Sequence, residues 1–342
     1  VDLHTTNGSY HGYALTWAPP LNPAAIFTGP FTGDTLLPAL AETLRGTLRI
    51  QTYPYGNFVS QDSAARGWFT YDHRPRFGTN YQGLRGRIGI LSEAYSHDPF
   101  ERRVASTYGF VMELLSLVAR NAMDIMEAGR DADRRTTAFA FSADASPEIA
   151  IRSRITTEPR KDEVLVEEIV RTGDTVRYEA GMPPGVRRTG EVREVEMPVY
   201  DRFEATLTQT IPYAWSFPRE LSVLIEPLRR HGVFVEQLNF PARVASQRFI
   251  VDSVARAQRA FQGHEEVRLE GRWETDSVTL DSAAYVVRGG QPLGILALYL
   301  LDPRSDDGLV TWNFLDQWLA PGSPFPIRRV IGRITVPLRP VP

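Results

Sequence analysis

Two residues in this chain have the type and the setting for chemistry. His4 ends the short run VDLH and opens into the polar stretch Thr5, Thr6, Asn7, Gly8 and Ser9. A histidine at the end of a strand, facing a loop, stands where open α/β sheets place ligands. Its neutral imidazole suits a zinc ion. Asp2 is expected on the opposite strand face, and so is not counted as a second ligand. Glu93 follows Ile88, Ile90 and Leu91 at the end of a second apolar run. A carboxylate there is either buried and paired or catalytic. Beside a metal, a glutamate can take a proton from bound water and later deliver it to a leaving amine. Spacing alone leaves blander roles open, a structural histidine at position 4 and an ion pair from Glu93 to Arg102 or Arg103.

Both residues need strands to hold them. Residues 1–4 read as the end of a buried strand, and GRIGILSEAY (86–95) reads as another. Between them, residues 17–33 are rich in Pro and Gly and predict a long ordered loop. Asp34 is the expected N-cap of a helix to about Leu48, with Leu36, Leu37, Leu40 and Leu44 on one face. An aromatic loop containing YPYG follows. Asp98 and Pro99 are placed to open a helix that carries Val104, Tyr108, Val111, Leu114, Leu115 and Val118. It is expected to break near Gly129 and to end near Thr137. Strand, helix, strand, helix implies α/β layering, with a mostly parallel sheet flanked by helices over residues 1–143. Beyond Ala143 short alternating runs predict a β-rich α+β region over residues 144–342, with helices near 219–230, 291–301 and 309–319.

Composition narrows the function classes. With 342 residues, 42% of them hydrophobic, the chain can bury large cores in about two domains. A net charge of −3, from 38 basic and 41 acidic residues, lacks the basic footprint of a nucleic-acid binder. Nearly all the positive charge is arginine, Lys161 being the sole lysine. There is no cysteine, which excludes disulfides, thiolate metal sites and a cysteine nucleophile. Any metal must therefore be held by His, Asp or Glu. No apolar run approaches the roughly 20 residues of a membrane span. Other candidates have plain structural readings. His11 and His73 suit loops or packing, His97 a helix start, and His231 a helix C-terminus. Asp302, Ser305, Asp306 and Asp307 read as a capping turn, since their spacing does not match a calcium loop.

Longer segments add a resemblance. VDLHTTNGSYHGYALTWAPPLNP and RGRIGILSEAYSHDPFERRVASTYGFVMELL resemble the M14 family of zinc metallocarboxypeptidases, carboxypeptidase A-like enzymes, and in particular a bacterial branch of large multi-domain members. The resemblance implies a peptide substrate, a Zn2+ cofactor, His4 as the third zinc ligand and Glu93 as general base. It maps a substrate-binding tyrosine onto Tyr81, in GTNYQGLRGR, with Arg85 and Arg87 close by to contact a carboxylate or oxyanion. IPYAWSFPRELSVLIEPLRRHGVFVEQL and QPLGILALYLLDPRSDDGLVTWNFLDQWL are similar to the C-terminal region of the same branch. The family's HxxE zinc motif has no counterpart here, because HDPFE (97–101) and His264-Glu265-Glu266 have the wrong spacing. The remaining zinc ligands are therefore expected upstream of Val1. Residues 1–143 then become the C-terminal half of a catalytic domain, and residues 144–342 an accessory domain. An exposed sheet edge is expected, to be covered by the missing half or by an oligomer partner. Family members of this kind imply a secreted or periplasmic protein. The rival reading is a non-catalytic peptide- or cell-wall-binding module, an inactive fragment or a pseudo-enzyme.

Overall fold

The computed structural model describes residues 1–341 except 7, 142–145 and 180–181, and for 62 and 63 only the backbone. The expected boundary between residues 143 and 144, and Asn7 of the polar turn, lie outside the described residues. The fold is mixed α/β and β-rich, with several sheets and a few helices. It divides into two compact units. The first takes residues 1–83, 87–128 and 154–204, and the second takes 84–86, 129–153 and 205–342.

The first unit is built on a four-stranded sheet in the order Asp2–Thr5, Leu91–Ala94, Leu15–Ala18, Thr52–Pro54. The sheet is mixed. Asp2–Thr5 runs parallel to Leu91–Ala94, Leu15–Ala18 runs antiparallel to it, and Thr52–Pro54 runs parallel to Leu15–Ala18. The two inner strands are buried at every position. The Asp2–Thr5 strand, expected to be buried, is exposed throughout, because it sits at the edge with one neighbour. Leu15–Ala18 and Thr52–Pro54 fall where long loops were expected. Their alternation is too short to separate from the proline-rich stretches beside them.

Helix Leu37–Leu48 buries Leu37, Leu40 and Leu44, three and four residues apart on one stripe. Asp34 is not its N-cap. It lies inside a π-helical segment, Phe31–Leu36, which continues the turn that begins at Thr28. Helix Phe100–Arg120 buries Phe110 and Leu114. Together with Leu15, Trp17 and Ile90 of the sheet, these residues form one core cluster. A Cβ on Gly109 would sit 2.9 Å from the Ile50 Cδ1, so a bare backbone allows the helix to close on the sheet side. The helix breaks at Asn121 rather than near Gly129, and helix Ala122–Phe139 follows. Also within this unit, the long antiparallel strands Arg160–Arg171 and Val186–Tyr200 join Trp68–Phe69 and Asn57–Phe58 in a second four-stranded sheet. Trp68, Val164, Val166 and Val199 fill its core. These strands, read from composition as the start of the second region, pack with the first unit.

The second unit holds a seven-stranded sheet whose pairings are antiparallel. Its longest ladder joins Ala242–Arg256 to Val267–Leu280, with a bulge between Val251 and Ser253. Helix Gly294–Leu301 is buried on every side, as its unbroken apolar sequence requires. The helix expected over 309–319 shrinks to a 3-10 turn at Asp316–Trp318, and the residues before it form turns. Within the loop after Leu301, the Asp302 carboxylate accepts the Arg304 N–H at 3.0 Å, as a capping turn does.

Candidate functional site

Strand register brings the two sequence candidates together. His4 is the direct partner of Glu93 across the parallel pairing, and Glu93 is the direct partner of Thr16 across the antiparallel one. In-register neighbours point to the same face of a sheet. A row His4, Glu93, Thr16 therefore crosses three strands on one face. Asp2, Leu91 and Ala18 form the next row on that face. The opposite face presents Leu15 and Trp17 to the helices.

Asp2 belongs to the site. Its Oδ1 lies 2.9 Å from the His4 Nε2, and both side chains are about half exposed. The expectation that Asp2 points away is overturned, because side chains two apart on a strand share a face. The contact occupies Nε2 and leaves Nδ1 as the ring nitrogen available to a ligand.

Glu93 is nearly buried, at 8% exposure. Burial pushes its carboxyl up to about 7; the His4 charge opposes that rise and the Asp2 carboxylate adds to it. The ion pair offered by Arg102 is formed elsewhere, with Asp98 at 3.2 Å. Thr16, directly opposite, has a buried hydroxyl with no hydrogen-bond partner among the described residues.

Two tyrosines close over this face. Tyr55 packs with Ala18 and Leu91, and Tyr71 packs against that cluster. Burial raises both phenols, and the Glu93 charge raises each further. The Tyr71 hydroxyl is 2.5 Å from the Thr79 Oγ1, and the Tyr55 hydroxyl accepts from the Asn57 Nδ2 at 3.1 Å. Tyr55 also lines a cleft of about 700 Å3, with Trp17, Pro19, Pro20 and Phe203 among its walls and Arg202 and Asp201 among its charged groups.

The other residues expected at the site are placed as follows. Tyr81 sits in helix Gly78–Leu84, where its N–H donates to the Phe77 carbonyl. The neighbouring residue that reaches the Glu93 face is Thr79, through Tyr71. Arg85 belongs to the second unit and donates to the His231 carbonyl at 2.5 Å. Arg87 is exposed ahead of the Leu91–Ala94 strand, and its carbonyl accepts from the Thr28 hydroxyl at 3.0 Å. The structure thus gathers His4 and Glu93, adds Asp2, Thr16, Tyr55 and Tyr71, and does not gather Arg85 with them. The period-two spacing of Asp2 and His4 was a readable signal; nothing in the sequence singles out Tyr55 and Tyr71 from the other aromatic residues of their loop.

His11 and His97 pack among aromatic rings. His11 is buried, its Nδ1 accepts the Tyr13 N–H at 3.2 Å, and its ring lies 4.5 Å from that of Tyr95. Burial, and after it the neighbouring His97, lower it to about 3. His97, expected at a helix cap, packs against Tyr10 instead, with ring centres 4.4 Å apart and planes tilted by 33°.

A catalytic zinc needs three protein ligands and an open position. Among the described residues no group of three or more His, Asp or Glu side chains could hold a metal ion. One imidazole with a carboxylate on its outer nitrogen does not make a zinc site by itself. No helix among the described residues is long and apolar enough to cross a membrane. No family model, curated protein or solved structure matches this chain.

Proposed function

We propose that this chain carries the proton-transfer side of a peptidase site of the M14 type. The reading rests on one observation above the others: His4 and Glu93, far apart in sequence, are direct partners at the ends of adjacent parallel strands. Glu93 is the general base. A carboxyl held near 7 exchanges its proton at neutral pH, so it takes a proton from the attacking water and returns it to the leaving amine. Burial beneath Tyr55 and Tyr71 keeps it poised there. The cleft beside Tyr55, walled by proline and aromatic side chains, is where a peptide would lie. His4 is the imidazole that would contribute to a zinc site, with Asp2 fixing its ring through Nε2. The two further ligands are not supplied by the described residues. A secreted or periplasmic location follows from the resemblance alone.

The test is peptide hydrolysis, wild type against Glu93→Gln, in zinc-supplemented protein that holds the full ligand set and whose wild type is active. The variant is expected to lose about 100- to 10,000-fold in kcat. Equal rates would remove Glu93 from the mechanism.

The incomplete ligand set favours one rival, a non-catalytic module that binds peptide or a cell-wall component. Zinc titration separates the two readings. Stoichiometric zinc that is lost in His4→Ala supports the peptidase; a chain that binds peptide with neither zinc nor turnover supports the module.

A further inference from the structure

The helix that covers the first unit's sheet carries a second apolar face, turned to solvent. Val104, Tyr108, Met112 and Leu115 are 50%, 66%, 44% and 56% exposed. The row continues past the break through Ala119, Ala122 and Met126, all exposed. Across Asn121 the backbone ladder persists, with the Asn121 N–H on the Leu117 carbonyl at 3.1 Å and the Ile125 N–H on the Asn121 carbonyl at 3.0 Å. The row advances by four or three residues at each step, so it forms one continuous stripe along the helix. The buried stripe, Ser106, Phe110 and Leu114, is a separate one, so this seam is not needed for the chain's own core.

Its area is out of scale for a free surface. Phe100, 67% exposed, and Met123, 72% exposed, flank the seam. Together these side chains present on the order of 800 Å2, against a usual upper size of about 600 Å2 for an apolar patch on a monomer. About 800 Å2 per partner is also what a standard stable interface buries.

We infer that a second copy of this chain docks here, helix against helix and antiparallel, about a two-fold axis at Leu115. The side-chain sizes along the seam select that occupant. Turning the row about Leu115 sets Val104 against Met126, Tyr108 against Ala122 and Met112 against Ala119. Each large side chain meets a small or flexible one, as close packing requires. A parallel pair would set Tyr108 on Tyr108 and leave Ala119 facing Ala119. A symmetric pair buries the same surface on both copies, so one seam suffices.

The absence of cysteine makes the test direct. Sedimentation of the wild-type chain at tens of micromolar should give a dimer. Leu115→Glu, at an exposed position that leaves the core intact, should weaken it at least 100-fold with an unchanged circular dichroism spectrum. Under mild oxidation Leu115→Cys should cross-link to itself. Val104→Cys should not, but should cross-link when mixed with Met126→Cys. A wild type that stays monomeric at hundreds of micromolar, a dimer indifferent to Leu115→Glu, or self-linking by Val104→Cys would each overturn the inference. So would a monomer that partitions onto neutral lipid vesicles.

Discussion

Replacing Glu93 by glutamine keeps the shape of the side chain and removes a charge from a nearly buried position. The carboxyl's ordinary value is 4.5, and burial lifts it to about 7 in the folded chain. A group raised on folding stabilises fully below its unfolded value and loses that contribution as pH rises through its folded value. Protonated Glu93 thus supports the fold at pH 4.5 and below. The support drains away between 4.5 and 7, and above 7 the carboxylate is a net burden. At about 1.4 kcal/mol per pH unit the burden is roughly 3.5 kcal/mol. Glu93→Gln lacks it. Stability of the variant relative to wild type should climb from near zero at pH 4.5 to roughly 3 kcal/mol at pH 8. Because the chain forms two units, a global melt mixes their transitions. Hydrogen exchange at the amides of strand Leu91–Ala94 reads the right unit. Using the difference between variant and wild type also cancels the buried histidines, whose pH trends run the opposite way. A difference that is flat from pH 5 to 8, or that falls, would refute both the burial of Glu93 as a charge and its poise near neutrality.

Two further outcomes probe the same surroundings. Asp2→Asn removes a carboxylate that helps hold Glu93 up, and because Asp2 is half exposed, solvent should keep the downward shift small. A carbon-13 titration of the Glu93 carboxyl reads it, and an upward shift would contradict the geometry. His11, held neutral down to about 3, contributes stability that is present above 6.5 and lost as pH falls. His11→Phe should cost about 1 kcal/mol at pH 7, through the lost acceptor for the Tyr13 N–H. It should also flatten the acid loss between pH 6.5 and 4.5 by about 2–3 kcal/mol. Acid sensitivity equal to wild type would refute the burial argument.

The parts of this fold legible in the sequence were those set by local pattern. Leu37, Leu40 and Leu44 share a helical stripe and are buried together. Strand Leu91–Ala94 and helix Phe100–Arg120 stand where apolar runs and the Asp98-Pro99 pair put them. What was not legible depends on partners distant in the chain. Burial of the Asp2–Thr5 strand was misjudged because apolar content does not reveal an edge position. Strand Thr52–Pro54 exists only because Leu15–Ala18 offers it a ladder. The helical stripe holding Val104, Tyr108 and Leu115 reads as core by periodicity, yet periodicity cannot say which of two apolar faces meets the sheet.

The candidate site has the same division. Each of His4 and Glu93 alone is consistent with a structural role, and the sequence supplies no measure of the distance between them. Parallel pairing supplies it, because one register decides both that they are neighbours and that they share a face. The same register carries Asp2 and Thr16 to that face, whatever their local sequence suggests. A one-residue slip of the Asp2–Thr5 strand would turn His4 to the helix side and put Leu3 beside Glu93. The chemistry of the pair is thus a consequence of register, and register here is held by a short edge strand. Changes at Leu3 or Thr5 that weaken this pairing should then act on Glu93 without touching it.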